Sequence, residues 1–172
     1  MSAGARTAAT LAGLLALVMV AALWGWSAAT KPFPANETPP DCVDTQVAAG
    51  EQVFRDQVVV SVYNGSQRSR LAAETMALLT QRGFVAGDSG NAPERTAKTQ
   101  ILSPDPANPA VALVKAQFKG AEVVLANGLG PGVTVVVGEK FKALRKKKVE
   151  SVVAEDAAAF CAAPGADSPQ SG

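Results

Sequence analysis

The chain has 172 residues, a formal net charge of +1 and 48% hydrophobic residues, and it contains no histidine. The near-neutral balance removes the broad positive field that draws a protein to nucleic acid, so no nucleic-acid partner is expected. Without imidazole, Ser-His-Asp and Cys-His catalysis, histidine pH switching and any zinc site of ordinary composition are excluded.

From Thr7 to Thr30 no residue is charged, and the run LAGLLALVMVAALWGW within it is apolar on every side. The 22 residues Ala8–Ala29 would extend roughly 33 Å as a helix, against a hydrocarbon core of about 30 Å. This predicts a single transmembrane anchor at 8–29 behind a short cytoplasmic head at 1–7. Trp24 and Trp26 sit where interfacial indoles hold a span at headgroup level. Ser27-Ala28-Ala29 also offers a small-residue cleavage site, so a removed signal peptide and a secreted module are the alternative. Arg6 and Lys31 flank the stretch evenly and leave orientation to other features.

Residues 30–55 are rich in proline, acidic and small residues, and read as a linker stiffened by Pro32, Pro34, Pro39 and Pro40. One domain of about 105 residues is expected over 56–161, and 162–172 reads as a polar, disordered tail. Its first element is the β-branched run Val58–Tyr63, which ends at Asn64-Gly65-Ser66. Leu71, Ala72, Thr75, Leu78 and Leu79 then fall at helical spacing, with Gly83 supplying a left-handed stop. Phe84-Val85 begins a short strand, and Thr99–Leu102 forms the next. Asn108-Pro109 caps a helix over Ala110–Phe118, because proline is tolerated at the first helical position. Ala121–Ala126 and Val133–Val137 are further strands, and the charged stretch from Glu139 is expected to lead into a last helix ending near Phe160. The fold class is therefore α/β: one small two-layer sandwich, β-α-β-β-α-β-β and then a C-terminal helix, behind the transmembrane helix.

Cys42 and Cys161 bracket the whole region beyond the apolar stretch. In a chain with a membrane-targeting segment this predicts a disulfide joining the ends of the domain in an oxidising compartment, against the alternative of two unrelated thiols. On the chain-entropy account, closing such a loop stabilises by about 4–5 kcal/mol.

The segment VVVSVYNGSQRSRLAAETMALLTQRGF, the pair Asn91-Ala92, the Thr99-x-Ile101 strand, the Ala-rich second helix and the VTVVVG-x-x-F ending at Gly138 and Phe141 together resemble the LytR C-terminal domain family. The resemblance covers about Val58 to Leu144. It departs at two positions, Arg70 where the family usually has glycine and Lys140 where a Gly-x-Asp-Phe ending would place aspartate. With an anchor, a linker and bracketing cysteines but no ligase domain, the chain is similar to the stand-alone Cei-like and VirR-like branch found in actinobacteria. The resemblance implies a single-span cell-membrane protein with an extracytoplasmic accessory domain that supports cell-envelope assembly or integrity. It implies cell-wall polymer, or envelope proteins such as wall ligases, as partners, and no cofactor.

Three groups of residues are candidates for a site. Lys140, Lys142, Arg145, Lys146, Lys147 and Lys148 form the densest charge run and suit an anionic surface; the plainer reading is a solvated helix face. Asn64, Gly65 and Ser66, with Asn127, fall at predicted strand ends and suggest a cleft, against the plainer reading of a turn in which Gly65 takes positive φ. The acids Asp88, Glu94, Asp105 and Glu122 are scattered, with no spacing that argues for a catalytic pair on wall glycan. No catalytic, cofactor or metal residues are assigned, and a non-enzyme is expected.

Overall fold

The computed structural model describes residues 11–21 and 42–165. Two compact units, Met1–Thr38 and Pro39–Gly172, divide the chain. In the first, residues 11–21 are helical, and Leu11, Leu14, Leu15, Leu17, Val18, Met19 and Val20 are all exposed. Among the described residues no helix is long and apolar enough to cross a membrane, and both ends of the expected span at 8–29 lie outside them.

The second unit contains β1 (Val43–Val47), β2 (Gln52–Phe54), a 3-10 turn (Arg55–Gln57), β3 (Val59–Asn64), α1 (Leu71–Thr80), β4 (Val85–Asn91), β5 (Gln100–Ser103), α2 (Pro109–Lys115), β6 (Glu122–Leu125), β7 (Val133–Val137), β8 (Ser151–Val153) and β9 (Ala158–Ala162). Five strands form one sheet in the order β4-β3-β7-β5-β6. β3 runs parallel to both β4 and β7, while β5 runs parallel to β6 and antiparallel to β7. The sheet thus joins two βαβ units, β3-α1-β4 and β5-α2-β6, that point in opposite directions. The expected order from β3 to β7 is the observed one.

Alternation along the strands sets the layers. Val60, Val62, Ile101, Val133, Val135 and Val137 share one hydrophobic cluster with Leu71 and Leu79 of α1, Leu113 and Val114 of α2, and Phe118. Each such side chain contributes roughly 1.5–3 kcal/mol by leaving water. The opposite face carries Ser61, Tyr63 and Thr134, and the loop after β6 lies over it. Ser61 Oγ donates to Pro131 O (2.7 Å) and accepts from Asp88 N (3.0 Å). Tyr63 Oη donates to Leu129 O (2.8 Å), and Leu129 N donates to Thr134 Oγ1 (3.0 Å). The fully buried Ser61 and Thr134 are thereby satisfied, as buried hydroxyls must be. Burial, and then the charge of Asp88, hold the Tyr63 phenol above its ordinary pKa.

Two expectations are corrected. The segment after Val137 forms no C-terminal helix: it is irregular until the short strands β8 and β9. Nor is the chain an unstructured linker as far as 55, because β1 pairs antiparallel with β9 and β2 with β8. Both corrections have one cause. Val47 and Val53 on one flank, with Ala154, Phe160 and Ala162 on the other, enter the main cluster, so burial of apolar area selects strand pairing over the helical preference of the alanines. The Cys42–Cys161 disulfide closes this clasp, with a Cα–Cα distance of 5.3 Å inside the range such bonds need. The tail beyond 165 lies outside the described residues.

Candidate functional site

The stretch after β7 is shaped by the exit of α2. Gln117 is fully buried; its Nε2 donates to Leu113 O (3.2 Å) and Val149 O (2.9 Å), and its Oε1 accepts from Arg82 (2.8 Å). A second nitrogen of Arg82 donates to Arg145 O. Arg145 in turn donates from its backbone N to Gln117 O (2.8 Å) and from Nε to Phe118 O (2.8 Å). Burial, and then the nearby charge of Arg55, lower the pKa of Arg82. The rings of Phe118 and Phe141 meet at 5.8 Å, while Glu139 N and Lys140 N donate to Thr96 O and Ala97 O. A segment without regular structure is therefore pinned at several points, by its backbone and by the side chains of Arg68, Arg82 and Arg145.

This pinning divides the basic run. Arg145 is a structural residue, holding the end of α2. Lys146, Lys147 and Lys148 are exposed on an irregular stretch, so the solvated helix face expected for them does not exist. Lys140 and Lys142 instead join Lys98 and Lys119 around a recess of about 170 Å³, together with Thr99, Gly120, Phe141 and Ala143. Lys98 is ion-paired with Glu122. Among the described residues, no carboxylate pairs with Lys119, Lys140 or Lys142. Lys98 and Lys119 carried no signal in the sequence: each stands alone, more than 20 positions from the next member of the group.

The structure places Asn64 and Asn127 apart. Asn64 is level with Val137 at one end of the sheet. Asn127 follows β6, whose last residue Leu125 is level with Ser103 at the end of β5. Because β5 is antiparallel to β7, with Leu102 opposite Thr134, that end is the other one. The expected common cleft is therefore absent. Asn64-Gly65-Ser66 is a closed turn. Asn64 Oδ1 accepts from Ser66 N (3.0 Å) and Ser66 Oγ (2.8 Å), and Asn64 Nδ2 donates to Arg68 O (2.7 Å). Gly65 does not take positive φ, contrary to expectation; a Cβ there would lie 2.8 Å from side-chain carbons of Thr96 and Val136. Positive φ falls on Arg70, at 62° the one such non-glycine residue among those described.

The acids take separate duties. Glu122 neutralises Lys98, and the Asp88 amide binds Ser61. Asp105 Oδ1 accepts from Ala107 N (3.1 Å) in the turn before α2, and Glu94 lies exposed beyond β4. Asp105 also lines a recess of about 230 Å³ with Asp44, Ser103, Asn108 and Cys161. Among the described residues, no three His, Cys, Asp or Glu side chains are grouped to hold a metal ion.

These features define a small mixed α/β domain with disulfide-clasped ends and a lysine-lined recess. Residues 57–141 match the LytR_C family, described as LytR cell envelope-related transcriptional attenuator, and the folded domain of this chain belongs to that family. The match runs from Gln57, at the end of the 3-10 turn, to Phe141, so the clasp strands and Lys142–Lys148 lie outside it. A solved structure, the soluble domain (residues 71–217) of a conserved hypothetical secreted protein (Rv2700 ortholog) from Mycobacterium marinum, is similar at 19% identity and a TM-score of 0.43, over 60% of this chain and 76% of that one. No curated protein matches the chain.

Proposed function

We propose that this chain is an extracytoplasmic binding or scaffolding protein of the cell envelope, held to the membrane by its N-terminal helix and acting without catalysis. The observation that carries the reading is a domain of an envelope-related family, closed by the Cys42–Cys161 bridge, behind a helix whose apolar side chains face outward all round. A disulfide belongs to an oxidising compartment, and such a helix is at home in lipid. The separate placement of Asp105, Glu122 and Glu94, each in its own surroundings, supports a binding role over hydrolysis of wall glycan by a carboxylate pair.

Fractionation of the producing cells, followed by intact-mass measurement, tests the tether. The expected result is protein in the membrane fraction with the apolar helix intact. A mature product beginning at Thr30 contradicts it and makes the domain a secreted module.

A further inference from the structure

Lys119 follows α2, Lys140 and Lys142 follow β7, and Lys98 precedes β5. The pinned segment draws all four to one concavity. Like charges gathered this way repel one another, and solvent screening reduces that cost without reversing it. Only Lys98 has its charge answered by the protein, through Glu122. Three lysines without a carboxylate partner among the described residues therefore line a small recess together with Thr99 and the partly buried Phe141. No arginine lines it. The guanidinium fork suits carboxylate and phosphate alike, whereas lysine binds phosphate as a compact point charge with rotatable donors. Several such point charges around one recess suit a compact, multiply charged anion such as a phosphate group.

We propose that the recess formed by Lys98, Lys119, Lys140 and Lys142 is a binding site for phosphate groups carried by an anionic envelope component. This deepens the binding role proposed above by naming the chemistry bound, and rests on that role only for where the ligand is met. Lys146, Lys147 and Lys148 lie outside the recess and add only to the general field.

The test uses the full chain in phosphatidylcholine nanodiscs at low salt and compares two variants of equal charge change: Lys119→Gln/Lys140→Gln/Lys142→Gln and Lys146→Gln/Lys147→Gln/Lys148→Gln. All six lysines are exposed, so both variants should fold, and an unchanged melting temperature confirms it. One arm titrates tripolyphosphate; the other replaces part of the phosphatidylcholine with phosphatidylglycerol and reads amide shifts at Gly120 and Phe141. The recess variant should lose tenfold or more in affinity, and the distal variant less than about threefold, in the arm that presents the true source of phosphate. Equal losses in the two variants, or no saturable response in either arm, overturn the site. Neither result bears on the tether, which the mass measurement decides separately.

Discussion

The two βαβ units share a topology and differ in how their helices begin. α2 starts on local chemistry: Asn108 Oδ1 accepts from Ala110 N (3.0 Å), and Pro109 occupies the first turn. α1 starts on Arg70 in a left-handed conformation, with no side-chain cap. Distant residues hold the approach to it, since Arg68 donates to Phe141 O (2.7 Å) and Gln67 N to Glu139 Oε1 (2.5 Å). The difference shows two ways to satisfy one requirement. A cap supplies the helix start from within the sequence, whereas a strained residue needs tertiary contacts that over-determine it.

The capped start should be the more sensitive to substitution. Asn108 also donates from Nδ2 to Ala159 O (2.7 Å), tying α2 to the clasp. Asn108→Ala should therefore cost about 2 kcal/mol, as the lost cap and the lost tie add. Thermal unfolding reads this, and Asn108→Asp separates the parts by keeping the acceptor and removing the donor. A loss below about 0.5 kcal/mol for the alanine variant would mean that α2 is fixed by its packing alone.

The strained start should respond with the opposite sign. Left-handed backbone costs an L-residue roughly 1–2 kcal/mol, and glycine returns part of that through its freer unfolded chain. Arg70 makes no side-chain cap contact. Arg70→Gly should stabilise the domain by about 0.5–1 kcal/mol, visible as a rise of a few degrees in melting temperature. A fall would show that the arginine side chain, and not the backbone, sets this loop.

The elements that could be read from sequence are those with local signals. Val58–Tyr63, Val133–Val137 and Asn108-Pro109 announced β3, β7 and the start of α2 through β-branching and capping. β4 was only half visible, because its sequence VAGDSGN has weak strand preference and depends on pairing with β3. The clasp was hidden for a stronger reason. β9 reads AAFCA, a sequence that favours helix on its own, and it is a strand because β1 lies over 100 residues upstream to pair with it. The candidate site followed the same rule. The basic run was conspicuous, but the recess takes only Lys140 and Lys142 from it, with the solitary Lys98 and Lys119, and no spacing along the chain encodes that meeting.

The clasp also carries the central claim, that this domain folds outside the cytoplasm with its ends joined. Quenching producing cells with acid and labelling the denatured, unreduced protein with a mass-tagged maleimide tests it most directly. The account predicts no tag on Cys42 or Cys161 before reduction and two tags after it. Two tags without reductant would contradict the bridge and, with it, the extracytoplasmic location.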